Sequence, residues 1–185
     1  KVINDNNELL LHLINDILDL AKIDANTLEC TYHKEDITEI MKSIITTTKL
    51  RMSDSNVKLV VDEMPEMCIT YTDKNRLKQV INNYLNNAIK FTLEGSISLG
   101  YKYLNEELYF YVKDTGIGIP EDKQAKIFER FVKLNSFKQG TGLGLSICQT
   151  IVEKLGGKVG VISEKDKGST FWFTIPIIKE GPQIY

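Results

Sequence analysis

Proline is scarce in this chain, with four in 185 residues, and there is one tryptophan, two histidines and three cysteines. Cys30, Cys68 and Cys148 are odd in number, scattered and without metal-ligand spacing, which excludes a disulfide framework or a zinc cluster. They read as small apolar fillers, reduced in a cytosolic setting. No apolar run is long enough to span a bilayer, and no signal-peptide pattern opens the chain. Excess charge of either sign is also missing. Lys and Arg number 23 against 25 Asp and Glu, a formal charge of −2, so neither nucleic acid nor an anionic membrane is favoured as partner. No repeat or low-complexity stretch occurs. What remains is ordinary for a soluble globular domain: 42% hydrophobic and 26% charged residues, enough for one full core and a short appended element.

The pattern of residues 2–25 is helical. Leu10, Ile14, Ile17 and Ala21 repeat at steps of four and three, Leu9, Leu13 and Leu20 widen the stripe, and Asp16, Asp19 and Lys22 fall on other faces. One helix cannot bury such a stripe alone, so a partner helix from a second copy or from upstream sequence is expected. The chain opens at Lys1 inside this pattern, which suggests a piece of something longer. A linker and a short strand at 28–33 follow, then a helix capped by Asp36 and carrying Ile37, Ile40, Met41, Ile44 and Ile45. Strands are predicted at 57–61 and 68–71. A long helix capped by Asp73 runs through Leu77, Val80, Ile81, Tyr84, Leu85, Ala88 and Ile89 to about Thr92. Residues 96–103 and 108–113 read as an antiparallel strand pair, Pro120 opens a short helix, and 133–140 is loose and polar. A helix at 143–155 ends at Gly156-Gly157, and strands at 158–163 and 170–175 close the chain. The expected architecture is an α/β two-layer sandwich: a mixed, mostly antiparallel sheet with helices on one face, preceded by a bundle-forming helix.

Three segments carry the chemistry. Asn83 and Asn87 are one helical turn apart and face one side, with Asn86 on another face and Lys90 a turn further on. An amide oxygen is a hard ligand suited to magnesium, which takes one or two protein ligands plus phosphate. On their own, helical asparagines more often bond solvent. Asp114 ends a strand and precedes Thr115-Gly116-Ile117-Gly118. An ionised carboxylate only accepts hydrogen bonds, so it can take the amine of adenine and reject the carbonyl of guanine. A strand end and turn is the plainer alternative. Gly140-Thr141-Gly142-Leu143-Gly144-Leu145 runs straight into a helix whose first-turn amides suit phosphate. A lone G-x-G-x-G also describes many flexible loops, and no parallel βαβ unit surrounds this one, which argues against dinucleotide binding.

In this order the segments resemble the N, G1 and G2 boxes of the sensor histidine kinase catalytic domain, within the GHKL ATPase superfamily. Ile127-Phe128-Glu129-Arg130-Phe131 resembles the F box, and Lys167-Gly168-Ser169-Thr170-Phe171 the last glycine-turn motif. The run from Arg76 through Asn83 and Asn87 to Thr92 is similar throughout, and the likeness covers nearly the whole chain. It implies an ATP site with magnesium. Asn87 would be the metal ligand, with Asn83 supporting the phosphates. Lys90 and Phe91 would border phosphates and base, and Asp114 would take the adenine amine, with Gly116, Gly118 and Ile119 beside it. Residues 120–140 would be a lid, and Phe131 would belong to the cofactor's surroundings. Gly140, Thr141, Gly142, Leu143, Gly144 and Leu145 would line the phosphates, and Thr170 would reach the base through its hydroxyl. Arg130 and Lys133 would be charge partners of the γ-phosphate, acting in catalysis with Asn83 and Lys90. Tyr84 departs from the family's usual aliphatic residue, with only packing at stake.

The resemblance divides the chain into residues 1–26, similar to the second helix of a dimerisation hairpin, a catalytic ATP-binding domain at 27–180, and a tail at 181–185. The phosphoacceptor should be a histidine followed by an acidic residue. His12 precedes Leu13 and His33 precedes Lys34, so neither fits. This chain is therefore expected to bind ATP without phosphorylating itself. The implied partners are a second copy through the hairpin and a response-regulator receiver domain. The implied setting is the cytoplasmic portion of an inner-membrane sensor, with no membrane contact by these residues. Gyrase, mismatch-repair and heat-shock relatives hydrolyse ATP with a glutamate one turn before the metal-binding asparagine. Here that place is Asn83, whose amide cannot act as general base. A non-catalytic nucleotide sensor is a further reading, against which the intact boxes argue, and a serine-directed kinase of the anti-sigma type shares the fold, against which the similarity of residues 1–26 to a hairpin helix speaks.

Overall fold

The computed structural model describes residues 2–53, 55–132 and 141–180. Twelve elements follow one another among them: α1 (Val2–Asp24), β1 (His33–Asp36), α2 (Ile37–Arg51), β2 (Val57–Val61), β3 (Ile69–Thr72), α3 (Lys74–Phe91), β4 (Gly95–Leu104), β5 (Glu107–Asp114), α4 (Glu121–Gln124), α5 (Gly144–Lys154), β6 (Val159–Glu164) and β7 (Gly168–Pro176). Among the described residues the element types match the sequence pattern. The first strand is the exception, since it begins at His33 where the pattern predicts its end. Its β1 pairs with β3, and Leu28 is instead buried in the core.

Caps set where the two central helices start. Asp36 accepts from the Thr38 backbone N–H at 3.0 Å, and Asp73 accepts from Asn75 and Arg76 at 2.9 and 3.0 Å. Each carboxylate satisfies first-turn donors that would otherwise lack a partner.

The main sheet has the order β2-β4-β5-β7-β6, with β2 parallel to β4 and the other neighbours antiparallel. Side chains alternate between its faces. Leu108, Phe110, Val112 and Asp114 of β5 point inward, as do Ser169, Phe171, Phe173 and Ile175 of β7; all are buried. Phe110 and Phe173 stack at 4.7 Å between centroids, and Tyr84 of α3 meets Phe171 and Phe173 at 5.4 and 5.9 Å. The helices α2, α3 and α5 cover this face. The opposite face carries Tyr109, Tyr111 and Trp172, with Trp172 stacked on Tyr109 at 5.6 Å. This is the expected two-layer sandwich, with helices on one side of a mixed, mostly antiparallel sheet.

The N-terminal helix lies against α5 and the start of α3, with Leu20 and Ile23 packed on the core. Leu10, Leu11, Ile14, Ile17 and Leu18 remain exposed. The apolar stripe therefore faces outward. Of the polar positions, Asp16 and Asp19 face the domain, Asp19 buried against Arg76 and Asp16 bonded to Thr141, while Lys22 is exposed. The side chains of Leu9 and His12 lie outside the described residues. No helix among the described residues is long and apolar enough to cross a membrane.

Candidate nucleotide site

The site is assembled where the C-terminal half of α3, the loop after β5 and the start of α5 meet. Asn83 and Asn87 share a face of α3, and the Asn87 amide donates to the Asn83 oxygen at 3.4 Å. A side chain on Gly144 would collide with the Asn83 amide, so only glycine lets the first residue of α5 come this close. The N-cap residue of α5, Leu143, makes no side-chain cap bond. The hydroxyl of Thr141 instead accepts from Leu143 N–H at 3.0 Å just ahead of it. The helix thus presents its amide end beside two asparagine amides, an arrangement suited to an anion. Lys90 lies with its ammonium 5.0 Å from the Phe91 ring centroid, one turn along the same helix.

At the other end, the loop after β5 folds over the last turn of α3. The Phe91 carbonyl accepts from Ile117 N–H at 3.3 Å, and Asp114 accepts from Gly116 N–H at 2.8 Å. Asp114 is 5% exposed. Burial raises its carboxyl pKa, and the backbone N–H groups of Gly116 and Ser169 partly offset the rise. Gly118 has φ of +62° and sits against the Glu164 carbonyl, so both its conformation and its surroundings require glycine. Ile119 is buried, and its N–H donates to the Ser163 hydroxyl at 2.8 Å. Ser163 in turn donates to the Gly168 carbonyl at 2.8 Å and lies 2.9 Å from the Ser169 hydroxyl.

Thr170 pairs with Lys113, whereas Ser169 pairs with Asp114. Alternation puts Thr170 on the far face of the sheet and its neighbour Ser169, 7% exposed, on the Asp114 face. The inward run Phe171, Phe173, Ile175 was the signal that could have identified Ser169. Ser163 and Gln124, whose amide donates to the carbonyls of Ile119 and Ser163 at 2.9 and 2.8 Å, carried no comparable signal.

Among the described residues, a backbone contact joins the lid side to the turn before α5. Phe131 N–H donates to the Gly142 carbonyl at 2.9 Å, with Phe131 at φ +63° and Gly142 at φ +72°. The Phe131 ring is exposed. Leu143 is buried and Leu145 half-buried beneath the turn. Arg130 donates to Asp24 of α1 at 2.7 Å, and Thr141 donates to Asp16 at 3.0 Å. Lys133 and Gly140 lie outside the described residues. A cavity of about 430 Å³ separates α1 from α3, lined by Asn15, Asp19, Lys22, Arg76, Asn82 and Asn83 among others. Cys148 sits behind it. Burial, and secondarily the Asp16 carboxylate, push its thiol well above the ordinary value, which leaves it protonated and inert at neutral pH.

The donor set fits a nucleotide with one magnesium. Among the described residues no group of three or more His, Cys, Asp or Glu side chains could hold a metal. Any cation here would rest on the Asn87 amide oxygen and on phosphate, as magnesium commonly does.

Comparison with known proteins agrees with this geometry. A family model described as histidine kinase-, DNA gyrase B-, and HSP90-like ATPase matches residues 72–179. Hybrid signal transduction histidine kinase K of Dictyostelium discoideum is 33% identical over 98% of this chain, which spans 16% of that protein. The structure of full-length ShkA in complex with AMPPNP superposes with a TM-score of 0.85 at 30% identity, covering 98% of this chain and 38% of ShkA. Histidine kinase ThkA in complex with response regulator protein TrrA gives a TM-score of 0.75 at 26% identity, covering 96% of this chain and 51% of ThkA.

Proposed function

Because the chain belongs to the histidine kinase-, DNA gyrase B- and HSP90-like ATPase family, we propose that it is the ATP-binding catalytic region of a two-component sensor histidine kinase. Its reaction would move the γ-phosphoryl of ATP to a histidine on a neighbouring helix, for relay to a response-regulator aspartate. Similarity to ShkA with AMPPNP and to ThkA with TrrA supports both the nucleotide and the partner.

The observation that carries the transfer reading is the pair Asn83 and Asn87. The group one turn before the metal-binding position is an amide that already accepts a hydrogen bond from Asn87. An amide cannot remove a proton from water at neutral pH, so this position offers hydrolysis no base, while a neutral imidazole is a nucleophile without one. The work left to the protein is positioning and charge neutralisation. Asp114 would accept the adenine amine, and the α5 amides with Thr141 would hold the phosphate chain. Asn87 would carry the magnesium, and Lys90, Arg130 and Lys133 would supply positive charge. Magnesium, when bound, would neutralise phosphate oxygens. His33 is exposed in β1 and followed by Lys34, and neither it nor His12 has the acidic neighbour of an acceptor. The outward stripe of α1 would pair with the rest of a hairpin and with a second copy.

The test is γ-labelled ATP with magnesium, given to this chain and to a form extended upstream. Acid-labile label on the extended form alone is the expected result. Released phosphate without protein label, abolished by Asn83→Ala, would move the chain to the hydrolytic branch.

A further inference from the structure

Helix α1 grips the nucleotide module through three carboxylates that have different surroundings. Asp19 is an anchor. It accepts from Arg76 at 3.0 Å and from Gln79 at 2.7 Å, and the side chains of Asp19 and Arg76 are only 11% and 18% exposed. Together with Asn83 and Gly144, this cluster lines the cavity between α1 and α3. Asp16 and Asp24 differ. Asp16 accepts from the Thr141 hydroxyl, which itself organises the turn opening α5. Asp24 pairs with Arg130, and both side chains are about half exposed, at 56% and 44%.

Arg130 and Thr141 are brought together by their chain neighbours, because Phe131 N–H donates to the Gly142 carbonyl. Both gripped residues therefore lie beside the turn that opens α5, and there carboxylates of α1 occupy the Thr141 hydroxyl and the Arg130 guanidinium. Like charges at short range repel, and a carboxylate on Arg130 spends that cation's pairing capacity.

We propose that α1 in this docked position is an autoinhibitory clasp, in which Asp16 and Asp24 compete with the phosphate chain of the nucleotide for Thr141 and Arg130 while Asp19 keeps the helix tethered. This rests on the nucleotide reading above. Linkage makes the effect reciprocal: movement of α1 that releases the two outer carboxylates strengthens phosphate binding, and a bound triphosphate loosens the helix ends by the same factor. A signal that shifts α1 is thereby felt at the phosphates without reaching the adenine pocket.

Calorimetry on this chain, with ATP and magnesium and separately with adenosine, tests the clasp. Exposed pairs are worth little each, so Asp16→Asn with Asp24→Asn should tighten ATP by about three- to tenfold. Adenosine, which has no phosphates, should bind as it does to the parent chain. The Asp24 share of the gain should vanish in an Arg130→Ala background. Unchanged or weaker ATP binding by the double variant overturns the clasp, as does an equal gain for adenosine. If the parent chain and the variant both bind adenosine but neither gains from phosphates, the clasp fails alone. If neither binds either ligand, the nucleotide reading fails and takes the clasp with it.

Discussion

Asp114 and Ser169 stand directly opposite each other on β5 and β7, both buried on the helix-facing side of the sheet. The Ser169 hydroxyl meets Ser163, which ties Ile119 to the Gly168 carbonyl, so one small network shapes the wall beside the carboxylate. Ser169→Ala should weaken adenine nucleotide binding by about 1 kcal/mol, the worth of one hydrogen bond. Thr170→Val, on the far face, should leave it unchanged. Titration calorimetry on the two variants checks the ranking, and the reverse order would return the role to Thr170.

The Asp114 carboxyl is shifted upward by burial, with restraint from backbone donors. Only the ionised form accepts from an adenine amine without offering a competing donor. Affinity should therefore begin to fall, on acidification, at a higher pH than an ordinary aspartate would give. The stability sign is opposite. A carboxylate whose folded pKa is raised contributes stability below its unfolded pKa, and that contribution is lost as pH rises through the folded value. Asp114→Asn should thus lose about 1.5–3 kcal/mol of nucleotide affinity while the nucleotide-free Tm at neutral pH holds or rises. A matching fall in Tm would make the residue structural.

Gly144 leaves no room for a side chain against Asn83. Because the obstructing group is a side-chain amide, Gly144→Ala should shift Asn83 rather than unfold the helix. The expected outcome is a nearly unchanged Tm with ATP affinity reduced about tenfold and a weakened magnesium dependence. Circular dichroism and calorimetry together check it, and intact ATP binding would show that the Asn83 position is not used.

Tyr84 is fully buried, and its hydroxyl has no hydrogen-bond partner among the described residues. An unpaired buried hydroxyl carries a desolvation cost that phenylalanine avoids, at the risk of a small void. Tyr84→Phe should raise stability by about 1 kcal/mol, visible as a shift in the urea midpoint at constant slope. A loss of stability would mean that the hydroxyl is paired.

Much of this was legible before any coordinates, and the reasons are local. Asp36 and Asp73 announce helix starts because capping depends on a few neighbouring atoms, and strand alternation from Phe171 to Ile175 shows which side is the core. The helix positions of Asn83 and Asn87 follow from 3.6-residue geometry. What is not legible depends on three-dimensional juxtaposition. Motif position points to Thr170 for the base, whereas the strand register sets Ser169, and not Thr170, opposite Asp114. The sequence pattern sets Asp16 and Asp19 off the apolar stripe but does not show what they meet, because their partners Thr141 and Arg76 lie more than fifty residues away. A hydrophobic stripe identifies a face that seeks company, but not which face of a two-sided helix the domain itself takes.

The single tryptophan has a practical consequence. Trp172 stacks on Tyr109 on the side of the sheet turned away from Asp114 and the amide end of α5. Its emission is a built-in optical gauge of whether β5 and β7 are joined. Because the sheet stands between the indole and the site, that gauge is shielded from direct quenching by whatever the site holds, and folding can be followed with label-free light while occupancy is varied.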